Sequence, residues 1–152
     1  MKVFYKKIRF ALISTLLIIS VSCNNEDEIS APDIMRGELG YDNTGTVTLG
    51  EELHMEFEIT ADGKIESISV EIHHDGDHKS MSALKGEMEW EFDSIYTDAK
   101  YVGAKNIEFH EHIDIPMEAE AGEYHFHLLV RDMEGNTSSF EDDLEFLEPV
   151  AR

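Results

Sequence analysis

From residue 52 onward, apolar and polar side chains alternate with a period of two. Leu53, Met55, Phe57 and Ile59 are separated by Glu52, His54, Glu56 and Glu58. Ile68, Val70 and Ile72 alternate with Ser67, Ser69, Glu71 and His73, and Met88, Trp90 and Phe92 alternate with Glu87, Glu89, Glu91 and Asp93. Successive residues of a strand face opposite sides, so each run predicts a strand with one buried face. Ile107, Phe109, Ile113 and Ile115 keep one parity, broken only by Glu111, against Glu108, His110, His112 and Asp114. Tyr124, Phe126, Leu128 and Val130 do the same against Glu123, His125, His127 and Arg131, and a last strand is expected over residues 138–147.

Turn-forming residues fall where these runs stop: Ala61-Asp62-Gly63-Lys64, Asp75-Gly76-Asp77, Ala121-Gly122 and Glu134-Gly135-Asn136. Such clusters break strands because they tolerate positive φ or bond their own backbone. No stretch repeats with the period of a helix. The expectation is therefore an all-β domain, an immunoglobulin-like antiparallel β-sandwich of about seven strands, with an incomplete barrel as the alternative. Parity places Trp90 and Phe92 in the core, and Met81, Met88 and Met117 read as gap-filling packing. A chain of 152 residues accommodates one such domain.

The first 32 residues do not alternate. Lys2, Lys6, Lys7 and Arg9 precede an apolar run over residues 10–21, then Ser22 and Cys23, the only cysteine. That order of charge, apolar run and small residue predicts a cleaved signal segment over residues 1–22, too short for a membrane span. ISVSC resembles the box at which bacterial lipoproteins are cleaved and acylated, with Ser20 where leucine is usual. Lipidation of Cys23 would anchor the chain to a membrane without a spanning helix. Residues 23–32, ending at Pro32, read as a polar tether, and residues 33–152 as the sandwich. The run NNEDE at 24–28 resembles the acidic export tag of Bacteroides-type surface lipoproteins. The expected address is the cell envelope, lipid-anchored to the outer membrane and facing periplasm or exterior.

Formal charge is −21, and loss of the leader's basic residues makes it more negative still. Such a surface repels phosphate backbones, so nucleic acid is not an expected partner.

The segment 113–136, IDIPMEAEAGEYHFHLLVRDMEGN, resembles the paired final strands of bacterial immunoglobulin-like domains. Together, WEFDSIYT, FHEHIDIP and GEYHFHL resemble an uncharacterised family of Bacteroides-type lipoproteins, domain of unknown function 4625. The resemblance spans roughly residues 33–146 and implies fold and address; the family name implies no activity.

The remaining chemistry lies in the histidines. Residues two apart on a strand point to one side, about 6 to 7 Å apart, so His110/His112 and His125/His127 each present two imidazoles in one direction. In an immunoglobulin order His73 runs alongside His125 on an outer face, and His54 approaches His112 on the other sheet. Two clusters are expected: His73, His125 and His127 with His78 nearby, and His54, His110 and His112. Glu108, Asp114, Glu71 and Asp75 are available as further ligands or as acceptors behind the rings. Imidazole with carboxylate and no thiolate suits Zn, Cu(II) or Ni rather than Cu(I).

Three functions are compatible with this set. The first is a non-catalytic binding module holding a divalent transition metal such as Zn or Cu. The second is a metal-free adhesion or scaffolding module for a surface protein or glycan, its histidines being solvated polar residues or a pH switch. The third is a hydrolase with three histidine ligands, which has the least support because neither HExxH nor GxSxG is present.

Overall fold

The computed structural model describes residues 29–75 and 90–150. The leader, Cys23, the 24–28 acidic run, His78, Met81 and Met88 lie outside the described residues.

Among the described residues, eight strands form two sheets. In chain order they are β1 (Asp33–Leu39), β2 (Thr46–Thr48), β3 (Glu52–Thr60), β4 (Ile65–His74), β5 (Phe92–Tyr96), β6 (Asn106–Asp114), β7 (Gly122–Asp132) and β8 (Thr137–Leu147). One sheet has the order β1-β3-β6, the other β2-β8-β7-β4-β5. This is an immunoglobulin-like sandwich, with one departure from the all-antiparallel expectation: β2 pairs parallel to β8. The fifth strand also starts later than parity indicates, at Phe92, with Trp90 packed just before it.

The inward residues are those that alternation selects. Leu53, Phe57, Ile59, Ile68, Val70, Ile72, Phe126, Leu128 and Val130 are fully buried. Phe57 reaches across the interior to stack on Phe126, with centroids 5.7 Å apart and planes within 2°, and meets Phe140 edge-on at 5.1 Å. Tyr124 is buried against Phe146 and donates its hydroxyl to the Glu120 carbonyl at 2.7 Å. A tyrosine bonding back to the backbone at this corner is a device of Greek-key sandwiches. Met117, expected to fill a gap, is 54% exposed because it follows Pro116 beyond the end of β6.

Glu111 breaks parity for a physical reason. It lies opposite Met55 in register and faces inward, where the Tyr101 hydroxyl and Lys100 ammonium both donate to it. Burial and this hydrogen bond push the Tyr101 hydroxyl up to about 12.

The β7–β8 turn is organised by Asp132, whose side chain is wholly buried. Its Oδ1 accepts from the backbone N–H groups of Glu134 (3.0 Å) and Asn136 (2.8 Å), and its Oδ2 accepts from Asn136 Nδ2 (3.0 Å). A Cβ on Gly63 would come within 2.4 Å of Oδ2, so the neighbouring turn needs glycine there. Burial alone would raise the Asp132 carboxyl, but the bonds from Asn136, Glu134 and Gly135 outweigh it and hold it below the usual range. A carboxyl depressed in the folded state contributes stability that is complete above its unfolded value near pH 4 and is lost as pH falls through the folded value. Asp132→Asn is therefore expected to lower stability at pH 7 and to flatten the acid limb below about pH 4. Urea unfolding at pH 7 and pH 3 measures this, and an equal loss at both pH values would contradict it.

Candidate metal centre

His54 projects from the outer face of β3, between Glu52 and Glu56 and opposite in parity to Leu53 and Met55. Register brings His112 of β6 directly opposite His54, and His110 opposite Glu56. Residues paired across antiparallel strands share a face, so three imidazoles meet there. One ring nitrogen from each of His54, His110 and His112 lies within 4.8 Å of the others. The Nε2 atoms of His110 and His112 are 3.2 Å apart. Two nitrogens bound to one tetrahedral zinc at 2.0–2.1 Å stand about 3.3 Å apart, so the pair is already spaced for an ion.

Each ring has a carboxylate behind it. Glu108 stands 3.9 Å from His110 Nδ1, Glu52 stands 3.6 Å from His112 Nδ1, and Glu38 stands 3.4 Å from His54 Nε2. A carboxylate on one ring nitrogen favours the proton there and leaves the other nitrogen as a lone pair, the arrangement metal-binding histidines use. In His54 that other nitrogen, Nδ1, is buried with no hydrogen-bond partner among the described residues. Glu56, Glu108 and His110 form a second, overlapping group of convergent ligand atoms.

Two parts of this site escape the alternation pattern. Tyr41, on the 3-10 turn Tyr41–Asn43, stacks over His54 at 5.2 Å with planes within 10°, which leaves His54 only 7% exposed. The turn is held by the Gly40 N–H donating to the His54 carbonyl at 2.8 Å. Gly40 has φ +73°, and a Cβ there would approach the Thr46 carbonyl to 2.7 Å, so no other residue fits without strain. Glu38 is the other part. The register of β1 shifts between Arg36 and Glu38, at Gly37, so that Glu38 lies opposite Glu56 on the histidine face and Leu39 enters the core. A bulge inverts parity downstream of itself, and the glycine within the run is its only sequence signal.

On the other sheet, register places His73 opposite His125 and Glu71 opposite His127. Here the expected trio does not converge. His125 is held by Asp75 at 3.0 Å on Nε2 and by Asp143 at 3.0 Å on Nδ1, so both ring nitrogens are occupied. Burial lowers its pKa, but Asp143 and Asp75 outweigh burial and hold the imidazole above its ordinary value. A ring carrying both protons between two carboxylates has no lone pair for a metal. His73 and His127 do approach, with Nε2 atoms 3.2 Å apart and rings stacked at 5.2 Å. His74 packs edge-on against Tyr124 instead.

A family described as a domain of unknown function (DUF4625) matches residues 21–147. No curated protein matches by sequence. Among solved structures, a variant of the SrpA adhesin from Streptococcus sanguinis aligns with a TM-score of 0.46 at 14% identity, covering 78% of this chain and 58% of that one. The sporulation control protein Spo0M from Bacillus subtilis aligns at 0.44 and 12% identity, over 78% and 50%. A DUF4466 family protein from Parabacteroides merdae aligns at 0.46 and 14% identity, over 76% and 45%. The chain thus spans about half the length of these structures.

Proposed function

From the premise that this chain belongs to the family with the domain of unknown function DUF4625, we propose that it is a non-catalytic binding module for a divalent transition metal. The ion would be zinc or copper, held by His54, His110 and His112. The observation that carries this reading is the convergence of three imidazole nitrogens within 4.8 Å around an almost fully buried His54. A core histidine without a ligand would be expected to pair both nitrogens, because an unpartnered buried polar atom costs about 1–3 kcal/mol. Three imidazole nitrogens suit a borderline ion, and the surrounding carboxylates balance its charge. The strongly anionic surface would raise the local concentration of cations. We further propose lipidation of Cys23 as the tether that holds the module in the cell envelope.

The test is equilibrium dialysis of the untagged protein against zinc. Wild type is expected to hold at least one equivalent per chain in its tightest step. In His112→Ala, which alters a partly exposed ring, that step should weaken by more than about 100-fold, beyond what loss of an outer partner costs. Unchanged zinc binding in His112→Ala would overturn the reading.

A further inference from the structure

A second group of ligand atoms converges one row along the same sheet face. One carboxylate oxygen each from Glu56 and Glu108 and one ring nitrogen of His110 lie within 4.8 Å of one another. Glu56 faces His110 directly across the β3–β6 pair, and Glu108 precedes His110 by two residues on the same side of β6. Glu58 stands opposite Glu108 and Glu38 opposite Glu56, so carboxylates meet carboxylates across the strands. Like charges placed directly opposite one another destabilise a sheet. Among the described residues no lysine or arginine pairs with Glu56, Glu58 or Glu108; the cations pair as Arg36 with Asp142, Lys100 with Glu111 and Arg131 with Glu66. A bound metal ion would relieve that repulsion.

The two groups share His110 through opposite nitrogens. Its Nε2 stands 3.2 Å from His112 Nε2, whereas its Nδ1 stands 3.9 Å from a Glu108 oxygen. A neutral imidazole has one N–H and one lone pair, so the ring serves one ion at a time. With the proton on Nδ1, facing Glu108, Nε2 is a ligand for the three-histidine site. With the proton on Nε2, donated to His112, Nδ1 is a ligand beside Glu108 and Glu56.

We propose that Glu56, Glu108 and Nδ1 of His110 form a second metal site, for manganese(II), and that the shared ring makes it exclusive with the three-histidine site. Two carboxylates and one imidazole are a harder ligand set than three imidazoles, and carboxylate with water suits manganese where imidazole suits zinc and copper. Glu108 and His110 are exposed and Glu56 is half-buried, which leaves room for the waters that complete octahedral coordination. The tautomer of one ring thus selects the class of ion that this face holds. The manganese site stands on its own three residues, while the exclusion rests on the zinc reading above.

The test is titration of the untagged protein with manganese(II) chloride, the free ion being read by electron paramagnetic resonance. Wild type is expected to bind one equivalent ahead of any weaker surface binding. Glu56→Gln and Glu108→Gln should each weaken that step by more than about 10-fold, the least that loss of an outer partner costs. Glu118→Gln, which alters an exposed carboxylate elsewhere, and His112→Ala should leave it unchanged. Circular dichroism matching wild type confirms that these variants keep the fold. One equivalent of zinc should release the manganese from wild type, but not from His112→Ala. Manganese binding of equal strength in wild type, Glu56→Gln and Glu108→Gln overturns the site, and manganese retained beside bound zinc in wild type overturns the exclusion. Release by zinc that is equal in wild type and His112→Ala counts against the zinc reading and leaves the manganese site standing.

Discussion

Phe57→Ala is expected to lower the stability of the domain by about 3–5 kcal/mol, the usual cost of removing a fully buried phenylalanine ring. The ring bridges the two sheets: β3 presents it, and it packs on Phe126 from β7 and Phe140 from β8. Phe57 also lies opposite Phe109 in register, so deletion removes a contact within its own sheet as well. The neighbours belong to extended strands and cannot collapse into the void, which places the cost toward the upper end of the range. Phe57→Leu, which keeps most of the volume, should lose much less. Urea unfolding at constant slope reads both. A loss below about 1 kcal/mol for the alanine variant would show that the two sheets are held together elsewhere.

Zinc is expected to raise the melting temperature of the untagged protein by roughly 10 °C when supplied at about 100 times the dissociation constant of the three-histidine site. At that excess, linkage adds about 2.7 kcal/mol to the folded state, and each kilocalorie is worth about 4 °C in a domain of this size. The three ligands come from β3 and β6, which unfolding separates, so the unfolded chain binds less well. His112→Ala should remove most of the rise at the same zinc concentration. Magnesium should produce little of it, because imidazole nitrogen is a poor ligand for a hard cation. A rise of equal size with magnesium would assign the effect to screening of the acidic surface instead.

Much of the fold was legible because alternation alone determines which face of a strand is wet. The runs around Phe57, Val70, Phe109 and Leu128 specified strands and core together, and the strand order of an immunoglobulin sandwich brought His54 toward His112 and His73 toward His125. The first strand was less legible because Gly37 inverts its parity partway, moving Glu38 to the histidine face. Tyr41 gave no periodic signal, since it reaches His54 from a short turn that Gly40 makes possible. His125 shows a different limit. Register predicted its neighbourhood, but which partner each ring nitrogen takes depended on Asp143, supplied by β8 on the far side. Proximity follows from topology, whereas a free lone pair depends on everything that surrounds the ring.

The position of β6 has a consequence for the company this protein can keep. It is nine residues long and, among the described residues, forms the edge of its sheet, so one side of its backbone there offers a row of amides and carbonyls without a partner strand. Such a row is a template for a strand of another molecule. Along its outer face stand Glu108, His110, His112 and Asp114. Two copies approaching edge to edge would bring these acids together. Glu108, the carboxylate behind His110, thus acts with Asp114 as a fence that keeps a second copy from zipping onto this edge into a continuous sheet.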